Sequence, residues 1–332
     1  MTTLQQIDPP HPPPERPQLV AAFYKFVRLD DIAAVKAALE PVCAAAGISG
    51  SILLAREGVN GTVSGPRAGI VRLFEWFTGH NRIGPVPAKF SFAEEPAFHR
   101  MKVRLKQEIV TMGEPDVDPA GIVGTYVKPQ DWNALIRDPD TLVIDTRNDY
   151  EIGIGRFENA VDPGTRSFRE FPQWVRDNLD TLPPDRRPKN IAMYCTGGIR
   201  CEKSTSYLVA KGYGNVFHLE GGILKYLETI PAEASAWQGD CYVFDRRVSV
   251  RHGLEPGGYG MCHACRLPVS EDDRKSPLYE EGVSCPNCHG THTPDQLRAF
   301  RQRQMQVELA EKRGQAHIGG TRSGKQPKDG GA

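Results

Sequence analysis

The sequence predicts an α/β protein in three parts: an N-terminal α+β domain, a central doubly wound α/β domain, and a small C-terminal module built on cysteines. Three observations carry this expectation. Strands and amphipathic helices follow one another as β-α-β-β-α-β between residues 18 and 112. In the middle of the chain, the apolar runs Leu142–Asp145, Asn190–Tyr194 and Val216–Leu219 alternate with helical stretches, as strands buried on both faces of a parallel sheet do. Near the C-terminal end stand two C-x-x-C pairs. At 332 residues the chain is too long for one ordinary core. Its 39% hydrophobic and 25% charged residues are those of a soluble globular protein. Formal net charge is zero, so any contact with nucleic acid must come from local patches rather than a global field.

The N-terminus has neither a basic n-region nor an apolar h-region, and no apolar run reaches the length of a bilayer span. A cytoplasmic protein without membrane partners is expected. In a reducing compartment eight cysteines read as catalytic or metal-bound thiols before they read as disulfides. The proline-rich start, residues 1–17, reads as a disordered leader. Leu19–Val27 is a strand candidate, Asp30-Asp31 caps a helix that runs to Ala46, and Ser51–Ala55 with Gly61–Ser64 form a hairpin around Glu57–Gly61. A second amphipathic helix at Ala68–Thr78 and a strand at Lys89–Phe92 complete the order of a split, ferredoxin-like unit over residues 18–112. At its end Phe98–Lys106 alternates basic with apolar residues. Arg100, Lys102, Arg104 and Lys106 then share one face, either a solvated strand surface or a strip that neutralises phosphates. Residues 113–125 read as a linker, 126–230 as the doubly wound domain, 231–315 as the cysteine module with a helix, and 316–332 as a disordered basic tail.

The central domain holds the reactive candidate. Strand Asn190–Tyr194 stops at Cys195, passes Thr196, Gly197, Gly198 and Ile199, and reaches Arg200 at the start of a helix. Backbone N–H groups converge in such a loop and the helix N-terminus adds positive potential, so Cys195 is expected to ionise more easily than a free thiol. Arg200 either ties the loop to the domain or stabilises the thiolate. Asp145 and Arg147, after the preceding strand, read as an ion pair bracing the loop, with Glu151 in the same set. Cys201 either resolves an oxidised Cys195 or simply packs. Four residues separate Cys195 from Arg200, one fewer than in phosphate-binding loops of cysteine phosphatases, which disfavours phosphatase chemistry.

Residues 126–230 resemble a rhodanese domain in Asp145-Thr146-Arg147 with Glu151, in the Cys195–Arg200 loop, and in Gly221-Gly222-Ile223. The resemblance widens with the ferredoxin-like unit, Phe168–Pro172, Cys241–Arg247 and the terminal cysteines. Together these are similar to the bacterial rhodanese-domain tRNA uridine hydroxylases over residues 18–290. What that implies is an oxidoreductase that forms 5-hydroxyuridine at the wobble position of tRNA, with molecular oxygen as co-substrate and the anticodon loop as partner. Nothing in composition or spacing shows oxygen chemistry, and no flavin, haem or non-haem iron motif is recognisable. The competing readings are a sulfurtransferase that carries sulfane sulfur as a Cys195 persulfide, and an RNA-binding scaffold without catalysis. Oligomeric state is left open.

Cys262-x-x-Cys265 and Cys285-x-x-Cys288, with nineteen residues between the inner cysteines, fit a closed tetrahedral zinc site that supplies folding energy to its module. Thr293-Pro294-Asp295-Gln296 after it reads as the capped start of a helix.

Overall fold

The computed structural model describes residues 8–313, so the expected basic tail at 316–332 and the first seven residues of the leader lie outside the described part. The chain divides into two compact units between Met261 and Cys262.

The first unit opens with β1 (Gln18–Phe26), α1 (Ile32–Ala45), β2 (Ser49–Ala55), β3 (Gly58–Gly65), α2 (Arg67–Gly79), β4 (Ala88–Ala93) and β5 (Met101–Leu105). Asp31 caps α1 by accepting a hydrogen bond from the Ala34 N–H at 2.9 Å. The strands order β4-β1-β3-β2-β5, which is the split βαβ arrangement with β5 added parallel to β2 at the edge. One face of this sheet is apolar. Leu19, Ala21 and Phe23 of β1, Ile52 and Leu54 of β2, and Val59 and Val63 of β3 bury against Leu39, Cys43, Leu73, Phe74 and Phe77 of the two helices. The alternate residues form a second face of different character, with Ala22, Ser51, Asn60, Thr62, Lys89 and Ser91 lining a cavity.

The central domain follows as β6 (Thr125–Val127), α3 (Pro129–Arg137), β7 (Thr141–Asp145), α4 (Asp149–Ile152), β8 (Gly155–Phe157), α5 (Phe171–Asn178), β9 (Asn190–Tyr194), α6 (Ile199–Ala210), β10 (Asn215–Leu219) and α7 (Gly222–Thr229). Its parallel sheet orders β6-β10-β9-β7. Alternation along the strands sends Val143, Ala192 and Tyr194 to a core with Trp132 of α3 and Tyr226 of α7. Ile144, Ile191, Met193 and Cys195 face the opposite core, with Phe171 and Val175 of α5 and Leu208 of α6. Burial on both faces is why these strands read as continuous apolar runs.

Residues 231–261, expected with the cysteine module, instead belong to the first unit. Here β11 (Trp237–Gly239) pairs antiparallel with β8, and β12 (Cys241–Tyr242) pairs with β13 (Ser249–Val250). Trp237, Cys241, Val243, Val250 and Leu254 enter the core shared with Tyr194 and Tyr226. The boundary moves because this segment's apolar side chains need a face large enough to bury them, which a four-cysteine module lacks. The segment read as a linker, residues 113–125, is also tied down: Val117 packs on the α5/α6 core, and the Gly124 N–H donates to Thr205 Oγ1 at 3.1 Å. In the leader, Arg16 forms an ion pair with Glu255 at 2.8 Å.

The second unit carries the cysteine pairs, α8 (Glu271–Lys275) and α9 (Pro294–Lys312). Gln296 N donates to Thr293 Oγ1 at 3.3 Å and Thr293 N to Gln296 Oε1 at 2.9 Å, the reciprocal cap expected from the sequence. Among the described residues, no helix is long and apolar enough to cross a membrane.

Candidate active site

Cys195 sits at the carboxyl end of β9, fully buried, where the chain turns into α6. The turn is made possible by Gly198, whose φ of +102° suits glycine, and whose N–H donates to Cys195 Sγ at 3.1 Å. The loop is seated on the start of α7. Ile223 N donates to the Cys195 carbonyl at 3.0 Å and Leu224 N to that of Thr196 at 3.1 Å. Gly222, at φ +67°, lies so close that a Cβ there would stand 2.5 Å from the Cys195 oxygen and 2.8 Å from Gly198 N.

Arg200 grips Glu151 with both Nη atoms, at 2.8 and 2.6 Å, while Nη2 also reaches Thr196 Oγ1 at 3.3 Å. Glu151, expected in the set that braces the loop, meets it as the partner of Arg200 and stands apart from the Asp145–Arg147 ion pair. Only its backbone carbonyl accepts from Arg147, at 3.1 Å. Arg147 and Asp145 form their own buried pair, with Nη2 to Oδ2 at 2.6 Å, under the rings of Tyr194 and Trp237. The reason is reach: Glu151 lies on α4, whose first turn projects its side chain toward the cysteine loop, whereas Arg147 is held two residues from Asp145 by the strand end.

The electrostatics separate Cys195 from the other buried thiols of this unit. Burial pushes Cys43 up to about 11 and Cys241 up to about 12. Burial acts on Cys195 in the same sense, but it is outweighed by hydrogen bonding from Cys201, the Arg200 guanidinium and the backbone N–H groups of Cys201 and Gly198, so its pKa falls well below the ordinary thiol value. Cys201 moves the opposite way, raised by burial and by Cys195, and stays protonated as the donor of that pair. Its Sγ lies 3.6 Å from Thr146 Oγ1, which places it within the site rather than in remote packing. His218 is pushed down to about 4 by burial, a neutral core histidine set edge-on to Tyr126.

The loop opens on a cavity of about 440 Å³ between the central domain and the polar face of the N-terminal sheet. Sequence reasoning missed this wall. From β1, Tyr24 donates its hydroxyl to Glu202 at 2.7 Å, and from β4, Lys89 donates to the Gly197 carbonyl at 2.8 Å. Arg247, held by Asp245, reaches Ser91 Oγ at 2.7 Å. Phe98, Phe168 and half-exposed Phe244 add aromatic surface. In a strand, Lys89 and Tyr24 look like any residues of alternating polarity, and only the polar, small-residue face of β1–β4 hinted that it covers something other than core. The basic residues lie on the far edge of the same sheet. Lys102 is in register with Ser51 and Arg104 with Leu53, so both project from the cavity face, while Val103 is buried on the other. Arg100 and Lys106 flank β5 and are exposed.

In the second unit, Cys262, Cys265, Cys285 and Cys288 place their sulfurs within 4.8 Å of one another. Three of the separations are 3.9, 3.7 and 3.7 Å. A tetrahedron of thiolates with metal–sulfur bonds of about 2.3 Å has edges of about 3.8 Å, so the cluster fits a four-coordinate ion and leaves no position for a substrate.

This is a rhodanese-type thiol loop completed by a second, acylphosphatase-like domain. Residues 18–109 match the family model described as UPF0176 acylphosphatase like domain, and residues 128–229 match that of the rhodanese-like domain. Curated relatives named tRNA uridine(34) hydroxylase align along nearly the whole chain. The protein from Rhizobium leguminosarum bv. trifolii is 54% identical over 303 residues, 91% of this chain and 97% of its own. That from Albidiferax ferrireducens is 55% identical over 301 residues, covering 91% and 94%. That from Agrobacterium fabrum is 54% identical over 301 residues, covering 91% and 95%. The chain belongs to the tRNA uridine(34) hydroxylase family.

Proposed function

We propose that this protein hydroxylates C5 of the wobble uridine of tRNA, with molecular oxygen as co-substrate and Cys195 as the essential thiol. The observation that carries the reading is the pairing of a buried thiol, held by the Gly198 N–H and lowered in pKa, with a roofed cavity whose sheet wall runs on, in register, to Lys102 and Arg104. A nucleoside at the loop end is bounded by aromatic side chains for stacking and by small polar ones for hydrogen bonding. Phosphates of the anticodon loop then fall along the basic edge formed by Arg100, Lys102, Arg104 and Lys106. Anticodon bases are already largely unpaired, so delivering one into an enclosed cavity costs little unstacking. Arg200 with Glu151 and Thr196 holds the loop in shape, and Asp145 with Arg147 braces the strand end beneath it. The second unit's cysteines are read as a structural zinc site. Sulfane transfer by a Cys195 persulfide would use the same thiol but has no need of a basic sheet edge.

Nucleoside mass spectrometry of tRNA from a deletion strain complemented with wild type or Cys195→Ala tests the reading. Wobble 5-hydroxyuridine derivatives are expected with wild type and absent with the variant; equal levels in a strain without a parallel pathway refute it. Neutralising Arg100, Lys102 and Arg104 together is expected to lower the slope of log affinity against log salt by about 2.

A further inference from the structure

The Gly197–Gly198 peptide is bonded at both ends. Its N–H, on Gly198, donates to Cys195 Sγ at 3.1 Å, and its carbonyl, on Gly197, accepts from Lys89 Nζ at 2.8 Å. Lys89 belongs to β4 of the N-terminal sheet, so a residue of one domain is linked through a single peptide group to the reactive sulfur of another. A cation on the carbonyl pulls electron density toward oxygen and makes the N–H a stronger donor, because hydrogen bonds in series polarise one another. It also fixes the plane of the peptide, and with it the direction in which the N–H points.

The Lys89 ammonium is enclosed, and its pKa lies on balance below the ordinary lysine value. Burial lowers its pKa, while Cys195, Glu202 and Glu228 act to raise it and Lys225 acts against it. Its ammonium stands 5.4 Å from the Tyr24 ring centre, on the same wall. That ring's hydroxyl would meet a Cβ at Gly198 at 2.8 Å, so Tyr24 leaves no room for a side chain at the donor residue. The charged and titratable groups facing the thiol are thus Arg200, Cys201 and Glu202 of α6, Glu151 beyond Arg200, Tyr24 of β1 and Lys89 of β4.

We propose that Lys89 is a positioning residue for Cys195: through the Gly197–Gly198 peptide it aligns and strengthens the N–H that holds the thiolate, so the reactive state of the loop is completed by the N-terminal domain. The inference concerns the thiol itself and stands whether its product is a hydroxylated nucleoside or a transferred sulfur.

The test is the pH dependence of iodoacetamide alkylation at Cys195 in the full-length protein without tRNA, followed by peptide mass spectrometry, in Lys89→Met, Lys89→Gln and Lys89→Arg. Met removes both charge and hydrogen bond. It is expected to raise the alkylation midpoint by about one pH unit, a roughly tenfold loss of rate below it. Gln keeps a neutral donor to the carbonyl and is expected to fall between Met and wild type. Arg restores the cation and is expected to return most of the rate. A wild-type midpoint in both neutral variants overturns the proposal, as does a shift in Arg equal to that in Met. Should Lys89→Met fail to fold, the Gln and Arg pair carries the same comparison. Because no tRNA is present, failure here is distinguishable from failure of the hydroxylase reading.

Discussion

Gly222→Ala tests whether the Cys195 loop is held in shape by the start of α7. At φ +67° an alanine backbone costs about 1 kcal/mol. The added Cβ would meet three main-chain atoms, the Cys195 oxygen at 2.5 Å, Gly198 N at 2.8 Å and the Thr196 oxygen at 2.8 Å. Backbone cannot swing aside as a side chain does, so relief requires the loop and α7 to part. Parting them breaks the hydrogen bonds from Ile223 N and Leu224 N, each worth about 1 kcal/mol. The total is about 3 kcal/mol, or about 6–12 °C of melting temperature for a unit of this size. Because the strain is local to the sulfur's own peptide, the alkylation rate of Cys195 at neutral pH is expected to fall with it. Gly197→Ala is the matched control: a Cβ there meets nothing within 4 Å, and stability is expected to change by no more than about 0.5 kcal/mol. Thermal unfolding and alkylation of the two variants side by side decide the matter. If Gly222→Ala is as stable and as reactive as Gly197→Ala, the seating of the loop on α7 is not what shapes it.

Three further outcomes follow from the same structure. The folded-state pKa of Cys195 lies below that of an unfolded cysteine. Its ionisation therefore adds stability that is fully present above about 8.5 and is lost as pH falls through the depressed value; Cys195→Ser is expected to flatten that part of the melting-temperature profile. Lys203 is 1% exposed and joins Glu57 and Glu108 of the N-terminal domain to α6. Lys203→Met leaves both carboxylates without their cation and is expected to cost about 2–3 kcal/mol in thermal unfolding, at or just below the lower end of the buried-pair range because both acids are partly exposed. Untagged protein is expected to carry about one zinc per chain by metal analysis, and Cys285→Ser less than half of that, with protease cleavage appearing between residues 262 and 290.

The central domain was legible because a parallel sheet buried on both faces leaves uninterrupted apolar runs, and because a cysteine followed by a glycine-containing turn and an arginine has few other uses. The split βαβ order and the four-cysteine cluster were legible for similar reasons, through period and spacing. Glu151 was placed in the bracing set without a partner, because the reach of α4 toward Arg200 is not visible in a sequence. The rhodanese-like match ends at residue 229, beside the expected 230, but residues 231–261 were grouped with the cysteine module because they form short strands with little periodicity, and their apolar side chains do not declare which face they cover. Tyr24 and Lys89 carried no signal of their own, and Arg247 only that of the Cys241–Arg247 segment; they become part of the site only when the sheet of one domain is laid over the loop of another.

That arrangement also refines the argument from loop length. A cysteine loop that grips phosphate needs its arginine free to take two oxygens of the ligand. Here both Nη atoms of Arg200 are spent on Glu151, and Lys89 is committed to the Gly197 carbonyl. With its cations occupied by the protein, the loop has one anion left to stabilise, the sulfur of Cys195. The shorter spacing and the occupied arginine therefore express the same constraint, a nest sized for a thiolate, which opens on the cavity beyond it.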